Sequence, residues 1–158
     1  MIDKYCEERK NYRYYKEVTD LLDDLGYKDS IIDVGSYNTP VVTYGNFDKR
    51  YRIDKEKLDP IEGVIDIQKD WLDVDLSADV ITCLQTLEHL DDNEIKPFCK
   101  KLKSSAETLI VSVPYNWDED RCEWHKQDPV DLGKICNWFE VNSLILHHYS
   151  QERLVLLF

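Results

Sequence analysis

The chain reads as an α/β protein with a mostly parallel central sheet, helices on both faces and an antiparallel hairpin at its C-terminal end. Three observations carry that reading. Short, nearly continuous apolar runs recur along the sequence, the pattern of strands buried on both faces of a parallel sheet. Helical periodicities fall between several of them. The last two runs are joined by a short polar link, and parallel neighbours would need a crossover of a dozen or more residues.

From Lys4 to Leu25 the bulky residues Tyr5, Tyr12, Tyr15, Val18, Leu22 and Leu25 recur at helical intervals, and Gly26 stands where a helix stop belongs. One amphipathic helix within 1–26, lying on the sheet, is expected. Ser30-Ile31-Ile32-Asp33-Val34-Gly35-Ser36 then reads as a buried strand ending in a tight turn, with a ligand crevice at its C-terminal end. Thr39-Pro40 has the form of an N-cap followed by proline, so a short helix ending by Gly45 should direct its free N–H groups at that crevice and suit an anion. Tyr51-Arg52-Ile53-Asp54 is a second strand. Its acid lies about twenty residues past Gly35, where dinucleotide-type folds place the carboxylate that holds ribose hydroxyls; the alternative is a loop aspartate capping the next turn.

Gly63 to Ile67 makes a third short strand and Ala78 to Leu84 a fourth, which runs into Gln85-Thr86-Leu87-Glu88-His89-Leu90. Ile95, Phe98, Cys99 and Leu102 share a helical face, with the regular helix expected to begin at or just before Pro97. Thr108 to Pro114 is the most strand-like run and belongs in the middle of the sheet. The stretch from Tyr115 to Gln127 has no periodicity and reads as a long loop, a common place for function. Asp128-Pro129 repeats the cap-plus-proline signature before a helix carrying Val130, Leu132 and Ile135, and Val141–His147 and Arg153–Phe158 form the terminal hairpin.

A length of 158 residues supports one domain with a real core, so 1–158 is read as a single domain. The formal charge of −12 argues against a nucleic-acid partner, which needs a basic face. No apolar run is long enough to span a bilayer, and Met1-Ile2-Asp3-Lys4 lacks the features of a signal peptide, so a cytoplasmic protein without a membrane partner is expected. Five cysteines are odd in number and irregularly spaced. A disulfide framework is therefore not expected, and Cys122-Glu123-Trp124-His125 finds no partner at zinc-site spacing, so no metal is assigned.

From about Ile31 onward the sequence resembles the class I S-adenosylmethionine-dependent methyltransferases. The passages that carry the likeness are Ile32-Asp33-Val34-Gly35-Ser36, Ile53-Asp54, Ile65-Asp66-Ile67 and Ala78 to Leu90, the last being similar to the D-V-V-T-C-x-x-x-L-E-H-V pattern of the ubiquinone-pathway O-methyltransferases and their small-molecule relatives. The resemblance implies a Rossmann-like sheet of about seven strands, S-adenosyl-L-methionine as cofactor and a small-molecule substrate. It also implies roles: Asp33, Gly35 and Ser36 at the methionine end, Asp54 on the ribose, Asp66 and Ile67 beside the adenine, and Gln85 facing the reactive centre. Two departures stand out. Tyr37, Asn38 and Thr39 occupy positions where the first motif usually has further glycines, and Gln85 replaces an acid that in the ubiquinone-pathway enzymes belongs to a proposed metal site.

The chemistry implied is in-line displacement at a sulfonium methyl, in which the protein mainly positions the reactants and, for a hydroxyl acceptor, removes a proton. His125, in the long loop beside Trp124 and near Tyr115 and Trp117, is the first candidate base and His89 the second. His89 reads equally well as a residue at the start of a helix, bonded to backbone. His147 and His148 fall on a terminal strand and read as structural. Two other functions fit the same residues: a lyase or hydrolase that degrades the cofactor, and a non-catalytic binding subunit.

Overall fold

The structure, a computed structural model, describes residues 4–158; the side chains of Tyr5 and Cys6 lie outside the described residues, so the expectation for Tyr5 is not addressed. Seven strands form one sheet: β1 (Tyr27–Val34), β2 (Asn46–Asp54), β3 (Ile65–Gln68), β4 (Ala78–Leu84), β5 (Ala106–Pro114), β6 (Ile145–Ser150) and β7 (Arg153–Leu157). Their order is β3-β2-β1-β4-β5-β7-β6. The first five are parallel, and β7 is antiparallel to both β5 and β6. The chain works outward from β1 to β3 and then returns to place β4 on the other side of β1. Strand order therefore reverses between β1 and β4, which is where open sheets of this kind hold their ligands.

Neighbouring residues of a strand point to opposite faces, and the two cores follow from that alternation. Ile32, Val34, Ile81, Cys83, Leu109 and Val111 pack against α3 (Asp92–Ser105) and α4 (Leu132–Phe139). Ile31, Val80, Leu84 and Ile110 face the other way, against Tyr14, Tyr15, Val18 and Leu22 of α2 (Arg13–Asp24).

Four local expectations are corrected. The single N-terminal helix is two, α1 (Lys4–Arg9) and α2, with a break between them. Arg9 Nε donates to Tyr14 Oη (2.9 Å), and residues five apart sit about 140° apart around a continuous helix, so that bond requires the chain to turn. The helix expected after Thr39-Pro40 is one 3₁₀ turn, Val41–Thr43, because the Thr39 hydroxyl donates to the Ser36 carbonyl (2.7 Å) and Asp33 Oδ2 (3.2 Å) instead of capping. Helix α3 begins at Asp92, five residues before Pro97, since Asp91 and Glu94 form a reciprocal capping box. Helix α4 is capped by Asp131, which accepts from the Lys134 N–H (2.7 Å), while Asp128 is committed elsewhere.

Candidate active site

The cavity at the switch point has a volume of about 970 Å³ and runs from Gly35, Tyr37 and Asp54 at one end to His89, Trp124 and Lys126 at the other. Gly35 has φ +71°, a left-handed conformation that an L side chain resists, and a Cβ there would lie 2.3 Å from Thr86 Cγ2. The tight turn expected from the sequence thus has two separate causes. Asp54 presents its carboxylate to the cavity with Oδ2 accepting from the Tyr37 N–H and Oδ1 from the Glu56 N–H, both at 2.9 Å, which fixes its orientation.

The other strand-end acids do different work. Asp33 is buried behind the loop, where its oxygens accept from Thr82 Oγ1 (2.6 Å) and Thr39 Oγ1 (3.2 Å), and burial pushes its pKa up to about 6 against those bonds. Ser36 is also buried, its hydroxyl donating to the Thr39 carbonyl. Both brace the turn and do not line the cavity. Asp66 accepts from Arg52 Nε (2.8 Å) and Nη2 (2.9 Å), pairing with a guanidinium that is fully buried; neither Asp66 nor Ile67 reaches the cavity. Arg52 stands directly opposite Asp66 across the β2–β3 ladder, so the charge left nearest to a buried cation determines where that acid points.

Between these two ends, next to Thr86, Gln85 lines the cavity with its amide held on two sides: Nε2 donates to Ser112 Oγ (3.3 Å) and Oε1 accepts from Arg153 Nε (3.2 Å). The turn Leu87–His89 follows. The Glu88 carbonyl accepts from the N–H groups of Lys126 (2.8 Å) and Gln127 (3.2 Å), and this stitch brings the long loop, and His125 with it, over the end of β4. The His89 and His125 rings meet edge to face at 4.8 Å, and Trp117 stacks on His125 at 5.4 Å. His89 lines the cavity; His125 sits directly behind it.

Both imidazoles have a defined tautomer. His89 Nδ1 is 3.0 Å from the Trp124 carbonyl and His125 Nδ1 is 2.7 Å from Asp128 Oδ2; each partner accepts, so each Nδ1 carries a proton, and in the neutral ring the lone pair is on Nε2. The backbone-bonded reading of His89 and its position in the site are thus compatible. Burial lowers the pKa of His89 and keeps it neutral at pH 7. Glu88 is 1 % exposed, its Oε2 has no hydrogen-bond partner, and burial raises its pKa to about 8. One ligand atom each from Glu88, His89 and His125 lies within 4.8 Å of the others. A carboxylate with two imidazoles is a donor set that fits a divalent first-row ion, and the orphaned Glu88 oxygen is the observation in favour of one. The sequence analysis names His89 and His125 as candidate bases but misses Glu88, the role of Asp128 and the metal-ligand geometry that joins them, because the Glu88-His89 pair carries no spacing signal to a histidine on a loop without periodicity.

No protein-family model and no curated protein matches the chain. Solved structures do. The methyltransferase domain of bacterial CtHen1-CN superposes with a TM-score of 0.70 at 17% identity, covering 94% of this chain and 98% of that one. The N-methyltransferase NodS from Bradyrhizobium japonicum WM9 gives 0.68 at 11% identity, over 100% and 98% of the two chains. The magnesium protoporphyrin IX methyltransferase ChlM from Synechocystis PCC 6803, solved with bound S-adenosylmethionine, gives 0.64 at 16%, over 92% and 77%. This chain has the methyltransferase fold. The mostly parallel sheet of seven strands and the antiparallel terminal hairpin expected from the sequence are those of that fold. Among the described residues no helix is long and apolar enough to cross a membrane.

Proposed function

We propose that this protein transfers the methyl group of S-adenosylmethionine to a hydroxyl of a small-molecule acceptor. The observation that carries the reading is that one cavity joins the turn at Gly35 and the Asp54 carboxylate to the His89 imidazole, which stands beside Glu88 and His125. Asp54 holds the ribose hydroxyls, Gly35 and Thr86 form the floor at the sulfur, and the pinned Gln85 amide faces the reacting methyl. The cavity volume lies at the upper end of small-molecule sites, so donor and acceptor have room side by side. Lys55 and Lys126 on the rim are each paired with carboxylates, of Asp70 and Asp91, which favours a small acceptor over a phosphate backbone.

Holding the reactants in line is the main contribution, worth up to about 7 to 11 kcal/mol. The acceptor proton leaves toward the Nε2 lone pair of His89, the imidazole that lines the cavity, with His125 packed behind it and oriented by Asp128. A divalent ion held by Glu88, His89 and His125 would occupy the Nε2 lone pairs in place of the proton and would act instead by supplying positive charge that lowers the pKa of the acceptor hydroxyl.

The test is transfer of a labelled methyl group from S-adenosylmethionine to a panel of small hydroxyl compounds, run in EDTA and in manganese, with titration of S-adenosylhomocysteine alongside. His125→Asn and Glu88→Gln should lower turnover by about 10²–10³-fold while S-adenosylhomocysteine affinity stays within about threefold. Activity that survives EDTA assigns the step to the imidazoles alone. Methylthioadenosine or homoserine lactone released without acceptor, or no binding of S-adenosylhomocysteine at millimolar concentration, overturns the reading.

A further inference from the structure

We infer that Arg153 selects an oxygen acceptor over a nitrogen one by fixing which end of the Gln85 amide faces the cavity. The inference rests on the methyl-transfer reading above and assigns a positioning role to the first residue of β7. Register pairs Arg153 with Pro114 and Val155 with Ser112, so Arg153 and Ser112 leave neighbouring strands on the same face of the sheet. Gln85, just past β4, meets both of them. Its backbone is held at φ +52° with its N–H bonded to the Ser112 carbonyl (2.8 Å), a left-handed conformation that a glutamine adopts only where its surroundings impose it.

The direction of the amide follows from the chemistry of its partners. Arginine has donors and no acceptor, so the end of Gln85 that meets Arg153 Nε (3.2 Å) has to be Oε1. Nε2 is thereby turned toward Ser112 Oγ (3.3 Å), which takes one of its two N–H groups; the other has no acceptor among the described residues and is left for the cavity that Gln85 lines. The guanidinium is itself held in place, with the Tyr12 ring at 4.3 Å, the Trp117 ring at 4.9 Å and Nη1 donating to the Gln151 carbonyl (3.1 Å). A hydroxyl oxygen suits the donor so presented. One of its lone pairs forms the new C–O bond as the S–C pair returns to sulfur, the second accepts from Gln85, and the proton leaves toward His89. An amine nitrogen has a single lone pair. Once that pair attacks the methyl, nothing remains to meet the Gln85 N–H, and the two groups face each other donor to donor.

The experiment uses two ligands that differ at the methyl position: S-adenosylhomocysteine, and its analogue sinefungin, which carries an ammonium group, a donor, where the methyl would stand. Both are titrated calorimetrically. Wild-type protein should bind S-adenosylhomocysteine more tightly than sinefungin by about tenfold or more. Gln85→Glu, which offers only acceptors, should reverse the preference. Arg153→Met frees the amide to turn Oε1 inward and should move the ratio toward sinefungin by about fivefold or more. Arg153→Lys, still a donor to Oε1, and Ser112→Ala, which leaves Arg153 in place, should each keep the ratio within about threefold of wild type. A merely structural Arg153 would weaken both ligands alike. If the Arg153→Met protein melts early, Arg153→Gln, whose own amide can meet Gln85 with either end, takes its place with the same expected shift. A wild-type preference for sinefungin, or a ratio unmoved by Gln85→Glu or by loss of the arginine, overturns the assignment. Wild-type protein that binds neither ligand overturns the methyl-transfer reading, and the assignment falls with it.

Discussion

The two ends of the cavity are built in different ways. At the end proposed for the donor, Gly35 and Asp54 stand at the ends of β1 and β2, and their placement follows from strand register and one left-handed turn. At the end proposed for the acceptor, Glu88 and His89 come from the turn after β4, while His125 and Asp128 arrive on a loop some 35 residues farther on, held down by hydrogen bonds to the Glu88 carbonyl. The donor end is a property of the sheet. The acceptor end is a tertiary assembly that encloses a carboxyl and leaves one of its oxygens without a partner.

That difference is most sharply tested through Glu88. Its pKa is raised from 4.5 to about 8 by burial, so the folded protein holds a proton that the unfolded chain gives up as pH rises past the ordinary glutamate range. Stability should be fully present below about pH 4.5, decline between there and about pH 8, and level off above, because native protein binds more protons than unfolded throughout that window. The full effect is bounded at about 5 kcal/mol. Between pH 6.5 and 8.5, above the range in which buried Asp33 titrates, thermal melts in EDTA should show the decline in wild type and a much flatter profile in Glu88→Gln. At pH 8, manganese should raise the melting temperature of wild type and leave Glu88→Gln unmoved; a steep profile that persists in the variant would refute the assignment to Glu88.

The donor end makes the opposite prediction, a steric one without pH dependence. Gly35→Ala adds a methyl 2.3 Å from Thr86 Cγ2 and 2.5 Å from its Oγ1, at a backbone angle that costs an L residue about 1–2 kcal/mol on its own. With overlap included, about 3 kcal/mol of stability should be lost in urea denaturation, together with donor binding. Thr86→Ala removes both crowding atoms and leaves only Thr86 Cβ, at 3.0 Å. The double variant should therefore recover about half of the loss, the remainder being the positive φ. Simple additivity of the two substitutions would show that the contact is not what demands glycine.

The same contrast explains what could be read in advance. The mostly parallel sheet, the terminal hairpin and the crevice at Gly35 follow from apolar runs and link lengths, which are local properties. The roles of Asp33, Asp54 and Asp66 look alike in sequence, an acid closing a short strand each time, yet only Asp54 meets the cavity. What separates them is the nearest unsatisfied group: the Thr82 and Thr39 hydroxyls draw Asp33 inward and buried Arg52 claims Asp66. Arg9 gives no signal for the related reason that a charged side chain is read as solvent-facing until a fold supplies partners for it, and Asp128, standing before Pro129, reads as a helix cap. The helix break at Lys10–Tyr12 has no proline or glycine to announce it.

The two acids that share a signature provide the smallest and most selective test. Asp66→Asn removes the charge facing a fully buried guanidinium, and because the Asp66 side chain is itself 23% exposed the cost should be discounted to about 2 kcal/mol of stability, with S-adenosylhomocysteine affinity unchanged. Asp54→Asn should behave the other way round. Its carboxylate accepts two backbone N–H bonds that an amide satisfies only in part, a stability cost under about 1 kcal/mol, while donor affinity should fall by about tenfold as the ribose hydroxyls lose a charged acceptor. Paired urea denaturation and calorimetric titration on the two variants yield four numbers that must cross. If Asp66→Asn weakens binding as much as Asp54→Asn does, the β3 edge contributes to the donor site through something other than its carboxylate, and the division of labour between the strand ends has to be redrawn.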